Sequence, residues 1–240
     1  MVEPSERFEE LKIPLSEHVH GLEETTGVLG IPRWWPTGSR VSVVLCHGAT
    51  EDMDDPVLTG LQEGLAQNRY LTLRFNFPFA EARKTRADSM PVLRRALRAA
   101  VALLMRDPTA APAHLILGGK GLGARVAADI STSRLRTDGL FLMGYPLHPQ
   151  DRPEKLDPDQ LFRIVSPLLF LQGDRDRTCN LDALREILWR VGAPTTLHVS
   201  EGADRHFRVT KRSQRTNEEV VQELIRGVDD WIQEILGGTV

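Results

Sequence analysis

What most constrains this chain is an alternation. From about residue 40 onward, short apolar runs bounded by Gly, Pro or Asp take turns with longer amphipathic stretches. The runs are VSVVLC (41–46), YLTLRFNF (70–77), HLILGG (114–119), LFLMGY (140–145), PLLFLQG (167–173) and TTLHVS (195–200). A run that is apolar at nearly every position, instead of at every second one, predicts a strand covered on both faces, as in a parallel sheet. Between the runs lie helical patterns. In PVLRRALRAAVALLMR, Leu93, Leu97, Ala100 and Leu104 form one stripe while Arg94, Arg95 and Arg98 face away. The last helix opens on Thr216-x-x-Glu219, a capping-box pattern, and carries a stripe through Val221, Leu224, Val228, Ile232 and Ile235. Strand–helix alternation of this kind implies an α/β fold: a doubly wound, mostly parallel sheet with right-handed crossovers. The first 32 residues, with FEELKIPL and TTGVLGIP, read instead as an antiparallel hairpin on the sheet edge, residues 1–20 forming its outer segment. No repeat, low-complexity tract or linker divides residues 1–240, so a single domain is expected.

In such sheets ligands bind beyond the carboxyl ends of the strands. The loop after HLILGG therefore matters most. There GGKGLG turns into an alanine-rich helix, a layout like the G-x-S-x-G turn on which many hydrolases hold a nucleophile. Gly119 and Gly123 supply the flanking glycines that let the turn close, and Ala124, Ala127 and Ala128 let the helix press on the sheet. The apex itself is Gly121, which has no side chain to react. Glycine escapes the strain of roughly 1–3 kcal/mol that other residues bear in such a turn. The loss to chemistry is of another order, since removing the nucleophile of a serine hydrolase costs about a millionfold in turnover. Taken by itself, GGKGLG reads equally as a plain glycine turn or a phosphate-binding loop.

Composition narrows the classes. A net charge of −3 gives no general attraction to nucleic acid or to an anionic membrane. No apolar run approaches the ~20 residues needed to cross a bilayer. The opening MVEPSERFEE is acidic and polar, unlike a secretory signal or transit peptide. The two cysteines, Cys46 and Cys179, lie far apart, fit no metal spacing and are expected to be small buried hydrophobes. A cytoplasmic protein without metal or cofactor is the expectation.

The order of motifs along the chain adds a resemblance. VLCHGATEDMDDPVLTGLQEGLA is followed by LRFNFPF, GGKGLG, MGYPLHPQDRPEKL, LLFLQGDRDRTCN and SEGADRHF. In this order and spacing the chain resembles the α/β-hydrolases of the dienelactone-hydrolase-like group. More closely, it is similar to the branch that contains a testis-expressed protein and a subunit of the nonspecific-lethal acetylation complex. The resemblance covers nearly everything after residue 20 and implies the α/β-hydrolase fold and an ancestry among ester-type hydrolases. Its nucleophile motif falls on Gly119-Lys120-Gly121-Leu122-Gly123, where the serine is missing. Its acid falls on Asp176 in Gln172-Gly173-Asp174-Arg175-Asp176, although Asp174 and Asp176 could equally cap the helix that starts near Leu181. Its histidine position is occupied by Arg205, and a shift of one residue would be needed to bring His206 inward. Its oxyanion donors fall on the backbone N–H groups of Leu122 and Ala49, the latter in His47-Gly48-Ala49, and these do not depend on side-chain identity. Together with Lys120 and the helix N-terminus they would attract a carboxylate or phosphate. Arg74 and Asn76, which match the family, are expected to brace neighbouring loops.

Two readings follow, with a third beside them. The first is a pseudohydrolase that binds a small acyl or anionic ligand, or a protein partner, on a scaffold without serine-hydrolase chemistry. The second is an active hydrolase of esters or lactones, in which His206 with Asp176 activates water over a preserved oxyanion hole. The third is an interaction domain without a working pocket. Trp34 and Trp35 are expected to pack over the sheet edge, a homodimer contact being the alternative. His18 and His20, alternating in EHVH, are expected on one solvent face, and Glu81–Asp88 is expected as a solvated loop at the pocket rim.

Overall fold

The computed structural model describes residues 5–34, 40–106, 111–133 and 135–237. Trp35 falls outside them. The strands are β1 (Arg7–Val19), β2 (Leu22–Ile31), β3 (Val41–Cys46), β4 (Leu71–Phe75), β5 (His114–Lys120), β6 (Gly139–Met143), β7 (Leu168–Gly173) and β8 (Thr195–Ser200). They form one eight-stranded sheet in the order β1-β2-β4-β3-β5-β6-β7-β8. β1 and β2 pair antiparallel at one edge, β2 runs antiparallel to β4, and every pairing from β4 through β8 is parallel. The doubly wound sheet with an antiparallel edge hairpin is thus the observed fold. The hairpin closes on His20 and Gly21, both with positive φ. His20 consequently leaves the strand and bonds Asp88 at 2.7 Å, so it does not share a solvent face with His18.

Helices α1 (Pro56–Gln67), α2 (Pro78–Glu81), α3 (Met90–Leu104), α4 (Leu122–Ser131), α5 (Leu181–Leu188) and α6 (Asn217–Ile235) connect the strands. Because side chains alternate across a strand, each strand feeds two cores. Val44, Leu73, Leu117 and Phe170 pack with α3, α4 and α5, whereas Val43, Leu45, Ile116 and Leu169 pack with α1 and α6. Each fully buried Leu or Val contributes roughly 1.5–3 kcal/mol relative to exposure. Local chemistry fixes the helix starts. Asp55 accepts from the N–H groups of Val57 and Leu58 just ahead of Pro56, and Thr216 and Glu219 form the full capping box of α6. The stripe of α6 is wider than expected. Val220 and Trp231 join Leu224, Val228 and Ile232 in the core, while Val221 is half-buried against Gly60 of α1. Gly60 and Gly64 let the two helices meet closely enough to pull that edge inward.

Candidate active site

The apex residue is built as a hydrolase elbow. β5 ends at Lys120, α4 begins at Leu122, and Gly121 between them has φ 54° and ψ −110°. Its N–H donates to the carbonyl of Met143 at 2.8 Å, which ties the apex to the end of β6. The flanking glycines are required by contact. A Cβ on Gly119 would lie closer than 3.0 Å to the backbone of Gly123 and Ala124, and one on Gly123 would run into the backbone of Cys46. At Gly121 itself a Cβ would meet nothing nearer than the Gly48 Cα, at 3.9 Å. The space in front of Gly121 is open.

The loop after β3 is wired through His47. His47 is buried, and the Phe77 N–H donates to its Nε2 at 2.9 Å. That leaves the ring proton on Nδ1, which donates to the carbonyl of Gly48 at 2.7 Å. The Gly48 carbonyl and the Ala49 N–H belong to one planar trans peptide, so turning the carbonyl toward His47 turns the N–H the opposite way. Neither the Ala49 nor the Leu122 N–H has an acceptor among the described residues. Burial holds the His47 pKa below its ordinary value, which keeps the ring neutral. His47 and Gly48 therefore serve to aim the Ala49 donor.

Lys120 does something other than attract a ligand. It is buried, and its ammonium donates to Glu51 at 2.9 Å and to Asp55 at 2.7 Å. Two carboxylates commit its charge, because a buried cation stays charged only if it is paired. The expectation that Lys120 would draw in a carboxylate or phosphate is corrected accordingly. Burial alone would raise the Glu51 pKa, but Lys120 and a bond from His206 bring it below the ordinary carboxylate value. Arg74 and Asn76 brace the same loop: Arg74 binds the Met53 carbonyl at 2.9 Å and also Asp54, and the Asn76 side chain accepts from the Met53 N–H at 2.9 Å.

The expected partnership of His206 with Asp176 is not formed. Asp176 is buried, its Oδ1 accepting from the Thr178 N–H and hydroxyl at 2.7 Å each, and its Oδ2 from Gln172 Nε2 at 2.5 Å. Gln172 in turn accepts from the Tyr145 N–H at 3.1 Å. Asp176 thus organises its own turn and the adjacent end of β6. Nor does it cap α5, whose N-cap is Asn180. His206 faces the other way and donates from Nδ1 to Glu51 Oε1 at 2.5 Å. Arg205, in the family's histidine position, packs its backbone carbonyl against Gly144 and makes no ion pair with Asp176.

Other side chains are placed as loop supports. His148 repeats the wiring of His47, with Nδ1 bonded to the Pro149 carbonyl and Nε2 accepting from the Asn180 N–H at 3.1 Å. Cys46 and Cys179 are buried and unpaired, and burial raises both thiols, that of Cys179 to about 12, so neither supplies a thiolate. Among the described residues no cluster of metal-ligating side chains occurs. No helix among them is long and apolar enough to cross a membrane. Beside Ala49 opens a cleft of about 700 Å³, lined by Glu51, Asp52, Phe79, Arg83, Lys84 and Arg208.

The roles of Glu51 and Asp55 escape a reading by motif. Asp55-Pro56 is recognisable as a helix start, but nothing local in the sequence shows that Asp55 and Glu51 share Lys120, 65 and 69 residues away.

Comparison with known proteins agrees with this fold. Residues 39–233 match the model of the alpha/beta hydrolase domain. Solved structures of similar shape include a dienelactone hydrolase from Anabaena variabilis, 16% identical over 96% of this chain and 98% of that one, with a TM-score of 0.72. A lid-less serine hydrolase from Xanthomonas campestris is 20% identical, with 93% and 94% of the two chains covered and a TM-score of 0.71. Est1E from Butyrivibrio proteoclasticus is 12% identical, with 95% and 99% covered and a TM-score of 0.72. With its elbow, its strand order and a match over residues 39–233, the chain belongs to the alpha/beta hydrolase family.

Proposed function

We propose that this chain is a pseudohydrolase, a hydrolase-fold protein that binds an acyl ligand without forming an acyl-enzyme. The observation that carries the reading is Gly121: the apex has elbow geometry and open space in front of it, yet no hydroxyl or thiol. A serine hydrolase needs a nucleophile, a base to take its proton and donors for the oxyanion. Here Gly121 supplies no nucleophile, and Asp176 orients no histidine. The ligand is a small acyl compound whose carbonyl oxygen takes the Ala49 and Leu122 N–H groups. The cleft beside Ala49 offers that ligand Arg83, Lys84 and Arg208, which have no ion-pair partners among the described residues, alongside the carboxylate of Asp52. Within the family the motif order supports a place in the branch with the testis-expressed protein and the acetylation-complex subunit. Two buried, unpaired cysteines suit a reducing cytoplasm.

The test is turnover of p-nitrophenyl acetate by purified protein together with labelling by a fluorophosphonate. Expected are a rate at the buffer background and no covalent label. Turnover that follows the protein through purification and is stopped by a labelled residue of this chain overturns the reading.

A further inference from the structure

His206 and Glu51 form a histidine–carboxylate pair that the family pattern does not assign to this chain. We infer that Glu51, anchored by Lys120, is the positioning carboxylate of the site's histidine, in the role the family gives to Asp176. Three observations converge on this. The first is the contact: His206 Nδ1 lies 2.5 Å from Glu51 Oε1, and the same oxygen receives the Lys120 ammonium at 2.9 Å. The second is rigidity on both sides. Glu51 cannot swing away without abandoning Lys120, whose side chain is 2% exposed. The His206 loop is fixed by the Asp204 carboxylate, which accepts from the N–H groups of His206 at 2.8 Å and Arg208 at 3.0 Å. Phe207 anchors the loop in the core between α1 and α6, with φ 61°.

The third observation is position. Glu51 Oε2 lies 2.5 Å from where a Cβ on Gly48 would stand, and Gly48 is the nearest neighbour of the open apex. From the other side, the Arg205 backbone lies on Gly144, next to the Met143 carbonyl that holds the Gly121 N–H. Glu51 therefore stands beside the Gly48 loop that borders the apex, and His206 is bonded to it there. A carboxylate on Nδ1 keeps the proton there and leaves Nε2 as the basic nitrogen, and Nε2 has no partner among the described residues. In a chain with a hydroxyl at the apex, Nε2 would take the hydroxyl proton as the oxygen bonds to the acyl carbon, then return it to the leaving alcohol. The carboxylate that holds the histidine comes from the β3 loop instead of the β7 loop, and what the native chain lacks is the oxygen. The inference stands apart from the pseudohydrolase reading, since it concerns the histidine and not turnover by the native chain.

Two measurements test it. In the unaltered protein with 15N-labelled histidine, long-range NMR is expected to show the neutral His206 ring protonated at Nδ1, with His206→Gln identifying the signal. Glu51→Ala is expected to return the ring to the Nε2-protonated form that free histidine prefers, and Asp176→Asn to leave it unchanged. Asp55 still neutralises Lys120 in Glu51→Ala, so that chain is expected to fold; Glu51→Gln, of the same shape, replaces it in the second measurement if it does not. In a Gly121→Ser background, hydrolysis of p-nitrophenyl acetate is expected to appear. Glu51→Ala should then lower kcat about ten-thousandfold with KM nearly constant, as loss of a histidine's orienting carboxylate does. Asp176→Asn should leave kcat within about threefold. A native ring protonated at Nε2, a kcat that follows Asp176 instead of Glu51, or a folded Gly121→Ser chain with no activity overturns the inference.

Discussion

Replacing Gly121 and Gly119 separately by alanine probes the elbow at its two most different positions. At Gly121 the new methyl group meets nothing closer than 3.9 Å, so there is no packing cost. What remains is the backbone, with φ 54° and ψ −110°, a conformation that costs a residue with a Cβ about 1–3 kcal/mol. Removing a glycine also restricts the unfolded chain, which returns about 0.4–1 kcal/mol. The net loss expected for Gly121→Ala is about 1–2 kcal/mol, or roughly 2–8 °C in Tm for a chain of this length. At Gly119 the methyl group meets the backbone of Gly123 and Ala124 closer than 3.0 Å, and no side chain can swing aside. β5 or α4 must move, and a loss above about 3 kcal/mol is expected. Urea unfolding followed by circular dichroism measures both values. Equal losses would mean that the apex is not open, and a Gly121→Ala chain as stable as the original would mean that the apex backbone is not in the strained region. Either result would remove the geometric basis for calling this turn a nucleophile elbow.

Two further outcomes follow from the buried charges and rings. Lys120→Met leaves Asp55 and Glu51, 3% and 12% exposed, without their cation, and should cost about 3–5 kcal/mol at neutral pH. In the original chain the Glu51 pKa lies below its ordinary 4.5, so its stabilising contribution is present above that pH and lost as pH falls through the folded value. Without Lys120 burial dominates and the sign reverses, so the deficit should shrink between pH 7 and pH 5; a constant deficit in urea unfolding would contradict this. His47 has its folded pKa below the ordinary 6.5, and its contribution is therefore present above pH 6.5 and eroded below it. His47→Gln, which keeps a donor and an acceptor but does not titrate, should flatten the stability profile between pH 6.5 and 5, and an unchanged slope would count against a buried neutral ring.

The layout of the fold was open to reading because its causes are local. VSVVLC and TTLHVS became β3 and β8 without a change of boundary, the first an apolar run buried throughout and the second a half-buried edge strand rich in β-branched residues. Thr216 and Glu219 capped α6 because both halves of a capping box lie within one turn. The elbow was readable for a similar reason: Gly119 and Gly123 are where strand and helix must touch. The site was harder, because its decisive contacts join distant segments. Asp176 was expected to face a histidine, yet Thr178, two residues away, and Gln172, four away, claim its oxygens first. His206 and Glu51 are 155 residues apart, and no pattern within either loop announces that they meet. The α6 stripe kept Leu224, Val228 and Ile232 but widened to Val220, Ile225 and Trp231, while Val221 meets Gly60 of α1, a contact no pattern within α6 announces.

The edge hairpin has a consequence of another kind. β1 is a thirteen-residue ribbon whose outer side pairs with no strand among the described residues, an invitation for a second molecule to extend the sheet. Pro14 removes one donor from the strand, the pairing register slips between Pro14 and Val19, and Glu9, Glu10, Lys12 and Glu17 stud the ribbon with charge. An approaching strand would meet a gap, a twist and electrostatic repulsion within a few residues. The same features that leave this margin unpaired among the described residues thus disfavour its use as a template by a second chain.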